Sequence, residues 1–170
     1  MITIKSEKEI ELMRHAGYLV SLTHQYLKNY IKPGITTMEL DTLAEEFIRS
    51  HDGIPTCKGY EGFPATLCTS INDEVVHGIP SKRKLKNGDI ITIDMVIGYH
   101  GYQGDAAWTY EVGNVNDKKK YLMKHTKEAL YEGVKQVKPG ARIGDISYAV
   151  EEYAKKHHLG VVKELVGHTS

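Results

Sequence analysis

With 170 residues, 41% of them hydrophobic, the chain is long enough to bury the core of one domain. Lysine plus arginine number 22, as do aspartate plus glutamate, and the resulting zero net charge excludes a global field for nucleic acid or an anionic membrane. No apolar run nears the roughly 18 residues of a membrane span, the first residues lack a signal-peptide core, and two cysteines, Cys57 and Cys68, make no disulfide framework or CxxC site, so a reduced, cytoplasmic protein is expected.

Ser6-Glu-Lys-Glu9 is a capping box that opens a helix with apolar residues at Ile10, Met13, Gly17, Val20, Leu27 and Ile31. Lys32-Pro33-Gly34 ends it. Thr36-Thr-Met-Glu39 is a second capping box, and its helix is expected to bury Leu40, Leu43, Ala44, Phe47 and Ile48 before Gly53 and Pro55. From Cys57 to Tyr110 the pattern is strand and loop: a strand-like Ala65–Ile71, a strand Glu74–His77, and a solvated basic turn at Ser81–Gly88.

Next comes the most informative stretch, Ile90–Tyr110, where two β-rich runs flank Gly98-Tyr99-His100-Gly101. If Tyr99-His100 forms the turn, facing residue numbers sum to 199 and Asp94 stands opposite Asp105. If His100-Gly101 forms it, the sum is 201 and the two aspartates are diagonal neighbours. Both registers put the carboxylates on one face, roughly 5–8 Å apart. One aspartate in a strand is usually solvent-facing or a turn cap. Two on one face repel, and a shared divalent cation explains them better.

Beyond Asn116 the chain turns helical again, with Tyr121, Leu122, Ala129, Leu130 and Val134 as the apolar face. Laying 138–157 over 32–51, a shift of 106 positions, matches Lys-Pro-Gly with Lys-Pro-Gly, Glu45-Glu46 with Glu151-Glu152 and His51 with His157. This reads as an internal duplication, although Lys-Pro-Gly is also generic turn chemistry in helical hairpins. The first repeat spans about 6–110 and the second about 117–170, cut short before the counterpart of its strands.

His168 follows a strand-like Val161–Val166, and His77 precedes Gly78-Ile-Pro80 at what reads as a cleft rim. A lone histidine is more often a surface residue than a ligand. The histidines at 15, 24, 51, 125, 157 and 158 fall on helical stretches and carry no assigned role. Two aspartates and one histidine are too few donors for two metal ions.

Gly59-Tyr-Glu-Gly-Phe-Pro64, Cys68-Thr-Ser-Ile-Asn-Asp-Glu-Val-Val-His-Gly-Ile-Pro80, Gly88-Asp-Ile-Ile-Thr-Ile-Asp94, Gly104-Asp105 and Val166-Gly-His168 together resemble the type I methionine aminopeptidases. The resemblance runs from the first helix to His168, with the motifs in the family's order and spacing. It implies an α+β, pita-bread (creatinase/aminopeptidase-like) fold. In that fold a mixed, mostly antiparallel sheet carries helices on one side in two pseudo-symmetric halves, the second incomplete here, within a single incomplete catalytic domain over 1–170. It implies removal of the initiator methionine from nascent polypeptides by a metalloexopeptidase with two divalent ions (Co, Mn, Fe or Zn). Asp94 would ligate one ion, Asp105 would bridge both and His168 would bind the second. His77 would be a catalytic and substrate-contacting donor. Cys57, Tyr60, Phe63 and Cys68 would line the methionine pocket, where soft walls suit a thioether. On their own physics Cys57 and Cys68 read equally well as small buried hydrophobes.

Three departures accompany the resemblance. The family continues Gly-His-Gly-Ile/Val-Gly where Thr169-Ser170 stand last, its second catalytic histidine and two glutamate ligands would lie further on, and Val96 occupies a position where many relatives place Thr. The expectation is therefore an impaired or inactive 170-residue polypeptide, prone to self-association through uncovered sheet edges and apolar helix faces although the family is mostly monomeric. The ribosome is a candidate partner, and nucleic acid and membrane are not. Two rival classes are an Xaa-Pro pita-bread peptidase, against which the cysteine-lined pocket argues, and a non-catalytic peptide- or protein-binding module.

Overall fold

Two reciprocal caps set the helical layer of the protein, whose computed structural model describes residues 4–165. In the first, the Ser6 hydroxyl accepts from the Glu9 amide at 3.4 Å while the Ser6 amide donates to the Glu9 carboxylate at 2.7 Å. That box starts α1 (Glu7–Lys28). Thr36 and Glu39 repeat it at 3.1 and 2.7 Å and start α2 (Thr37–Ser50).

The four strands β1 (Ile54–Pro55), β2 (Cys68–Ile71), β3 (Ile90–Tyr99) and β4 (Tyr102–Glu111) form one antiparallel sheet. β3 is its spine. β4 pairs along one side of it, and β2 and β1 share the other side in succession. Alternation along β3 divides the two faces. Ile91, Ile93, Met95 and Ile97 are fully buried with Leu19, Leu27, Leu40, Ile48 and Leu67, each contributing on the order of 1.5–3 kcal/mol by leaving water. Thr92, Asp94 and Val96 point to the other, partly open face.

Helix α1 lies very close to β4. A Cβ at Gly104 would stand 2.5 Å from the Ala16 carbonyl carbon, so only glycine allows that approach. The buried stripe of α1 is accordingly Ala16, Leu19, Val20, Thr23, His24 and Leu27. Ile10 and Met13, expected on the apolar face, are 43% and 38% exposed because the contact is centred on Ala16. His24 is buried through hydrogen bonds, its ring nitrogens meeting the Tyr110 hydroxyl at 3.0 Å and the Ala106 carbonyl at 3.2 Å. Among the described residues, no further strand pairs with the outer edge of β4.

The chain divides into two units, one through Val115 and one from Asn116. The second contains α3 (Asp117–Val134), capped by Asn116, and α4 (Ile143–Lys156). They meet at Gly133, where a Cβ would lie 2.9 Å from Val150, and through a hydrogen bond of 2.9 Å between His125 and the Tyr153 hydroxyl. Helix α4 begins and ends 106 positions after α2, the shift that superposes the two Lys-Pro-Gly segments. Gly34 and Gly140 both have positive φ, 98° and 86°. Tyr121, Leu122, Leu130 and Val134, expected to be the apolar face of α3, are 43–53% exposed, and Ala129 is buried.

Candidate metal centre

The β3–β4 turn adopts one of the two registers that the sequence leaves open. Tyr99 pairs with Tyr102, so His100 and Gly101 are the turn residues, with φ of 47° and 87°. Positive φ at both positions is what a type I′ hairpin needs, and it matches the twist of the strands. Val96 therefore pairs with Asp105 and Asp94 with Ala107. Both carboxylates stand on the face turned away from α1, one diagonal step apart. On that face a hydroxyl pair, Thr92 with Thr109 at 2.8 Å, marks one end.

Cys68 is the cross-strand partner of Asp94 on β2 and is buried. Burial, then the negative charges of Asp94 and Asp105, pushes its thiol up to about 12. Burial also raises the Cys57 thiol, partly offset by the Val96 amide donating to it, and both aspartate charges add to the rise. The two cysteines thus sit within electrostatic reach of the acidic pair as neutral thiols and not as anionic ligands. Asp41 on α2, which sequence reasoning missed, fixes the start of β2 beside them. Its carboxylate accepts the Leu67 amide at 2.7 Å, one residue before Cys68, and burial raises its pKa. The separation of 26 residues hides this contact from any local pattern.

The other predicted site residues are placed less tightly. Tyr60 opens a tight turn, Tyr60–Gly62, and is 66% exposed, while Phe63 is half-buried. Glu74–His77 is not a strand. The Glu74 side chain folds back onto the Ile71 amide at 2.8 Å and pairs with Arg83, which breaks up the extended run. His77 is exposed with φ of 59°, and the next residue is pressed onto β2. A Cβ at Gly78 would stand 2.1 Å from the Thr69 carbonyl oxygen. His168 lies outside the described residues.

As donors, Asp94 and Asp105 fit a divalent ion, being hard oxygen ligands on adjacent strands. They fill only part of a coordination shell. Among the described residues no three His, Cys, Asp or Glu side chains gather closely enough to hold a metal ion.

Residues 11–170 match metallopeptidase family M24, and the chain belongs to that family. It is 51% identical to methionine aminopeptidase 1 of Bacillus subtilis over 168 residues, covering 99% of this chain and 68% of that relative. The crystal structure of methionine aminopeptidase from Rickettsia prowazekii superposes with a TM-score of 0.91 at 45% identity, over 92% of this chain and 63% of that one. The chain thus spans about two thirds of the length of these relatives. Prolidase from Pyrococcus furiosus, at 21% identity and a TM-score of 0.80 over 91% of this chain and 44% of that one, shares the fold alone. These likenesses establish the pita-bread architecture, with helices over one face of an antiparallel sheet.

Proposed function

We propose that this chain carries part of the site of a methionine aminopeptidase, which hydrolyses the peptide bond after the N-terminal methionine of nascent polypeptides. The observation that carries this reading is the acidic pair on β3 and β4, walled by two neutral thiols and set in a chain half identical to such an enzyme. Asp94 would ligate one of two divalent ions and His168 the other, with Asp105 serving both. Such ions, Co, Mn, Fe or Zn, would supply Lewis-acid activation of the water and of the scissile carbonyl. His77 donates a hydrogen bond to the oxygen that gains charge. Cys57, Cys68, Tyr60 and Phe63 enclose the methionine thioether.

Asp94, Asp105 and His168 are fewer donors than two ions require, so a polypeptide of these 170 residues alone turns over slowly if at all. The cytoplasm is its place, supported by two free cysteines, and nascent chains at the ribosome are its substrates. No helix among the described residues is long and apolar enough to cross a membrane.

Comparing Met-Ala-Ser with an Xaa-Pro peptide, using the gene's complete product and added Mn²⁺, tests the reading. Preference for Met-Ala-Ser supports it. Preference for Xaa-Pro would replace it by the prolidase-type reaction, and Mn²⁺ titration without heat would leave only a binding module.

A further inference from the structure

On the face that carries the acidic pair, the end opposite Thr92–Thr109 is closed by an unusual contact. Gln103 faces Gly98 across the β3–β4 ladder. Its side-chain carbonyl accepts the Thr56 hydroxyl at 2.8 Å. Thr56 follows β1, which pairs with the other side of β3. The bond therefore spans the whole width of β3. It passes over residue 98, where a Cβ would stand 3.1 Å from the Thr56 hydroxyl and 3.2 Å from the Gln103 carbonyl oxygen. A glycine inside a strand costs stability, and here, one residue before the end of β3, it leaves room for this bridge.

The bridge has a weak attachment to reinforce. β1 contributes two residues, and one of them, Pro55, has no N–H to donate. Beyond it, the Thr56 amide donates to the Val96 carbonyl at 3.0 Å. Cys57 comes next, within electrostatic reach of Asp94 and Asp105. Whatever holds Thr56 down onto the sheet also fixes how close the Cys57 thiol stands to the two carboxylates.

We propose that Gln103 is a positioning residue that, by bonding Thr56 across Gly98, holds Cys57 against the acidic pair and so sets one wall of the side-chain pocket. That this wall receives methionine rests on the functional reading above, whereas the bridge rests on geometry alone.

The test follows each cysteine's alkylation by iodoacetamide in the metal-free chain, using mass spectrometry, for wild type, Gln103→Leu, Thr56→Val, Thr56→Ser and the Thr56→Val/Gln103→Leu double variant. The expected result is about a threefold to tenfold faster reaction of Cys57 in Gln103→Leu and Thr56→Val, the range that one net hydrogen bond supplies. Cys68 keeps its rate, Thr56→Ser restores protection, and the double variant is no faster than either single one. An unchanged Cys57 rate in Gln103→Leu overturns the proposal. So does a parallel rise at Cys68, which would report general loosening. Peptide turnover does not enter this readout, so a failure of the aminopeptidase reading would be seen separately.

Discussion

Asp105 stands opposite Val96, and this places it one diagonal step from Asp94 on the same face of the β3–β4 ladder. The offset follows from the turn at His100-Gly101, because a turn one residue earlier would face the two aspartates directly. A diagonal pair keeps both carboxylates on one face while β3 and β4 remain hydrogen-bonded.

Neutralising one member separates repulsion from ligation. Asp105→Asn should stabilise the ion-free chain slightly, by up to about 1 kcal/mol, since like charges across a ladder are destabilising. The same variant should lose the rise in melting temperature that saturating Mn²⁺ gives the parent chain. Thermal unfolding of both proteins, with and without Mn²⁺, checks both signs.

Gly104→Ala should be destabilising by about 1–3 kcal/mol, as overpacking usually is. The added methyl would meet the Ala16–Gly17 backbone at 2.5–2.6 Å, and backbone cannot rotate aside. Helix α1 would have to lift from β4 next to Asp105. Urea unfolding with matched slopes measures the loss, and a change within error would show that the helix seats elsewhere.

Acid should weaken the start of α1. The Glu9 carboxyl is drawn from its ordinary 4.5 to about 2, first by the Ser6 amide, then by the Ser6 and Tyr102 hydroxyls. A depressed folded-state value means that the group stabilises above the unfolded value and loses this contribution as pH falls from about 4.5 through about 2. Glu39, lowered by the Thr36 hydroxyl and amide, acts with the same sign. The Glu9→Gln variant should show a shallower stability slope between pH 4.5 and 2, measured by denaturant midpoints.

The polypeptide of these 170 residues should hydrolyse Met-peptides orders of magnitude more slowly than a methionine aminopeptidase, because a dinuclear site needs more donors than Asp94, Asp105 and His168. Turnover near the 1–10³ s⁻¹ common for enzymes, from purified chain with Co²⁺ or Mn²⁺, would overturn the ligand count.

Much of the first unit was legible because its signals are local. Both capping boxes start helices where the side chains predict, and the Gly101 turn selects between two registers that differ in only one residue. The pairing of aspartates on one face follows from the two-residue strand period together with a two-residue turn, in either register. Long-range contacts escaped. Asp41 reaches Leu67, and Thr56 reaches Gln103 over a strand, and neither leaves a periodic trace. The stretch at Glu74–His77 misled because its valines are strand formers, while Glu74 turns back to the Ile71 amide and Arg83. On α1 the large residues Ile10 and Met13 drew attention, yet close approach to Gly104 favours the small Ala16.

A crystal of the chain grown at saturating Mn²⁺, measured at the manganese edge, tests the central claim most directly. The account predicts an anomalous peak within ligand distance of both the Asp94 and Asp105 carboxylates. Flat density between them, or carboxylates turned to opposite faces of the sheet, would contradict it.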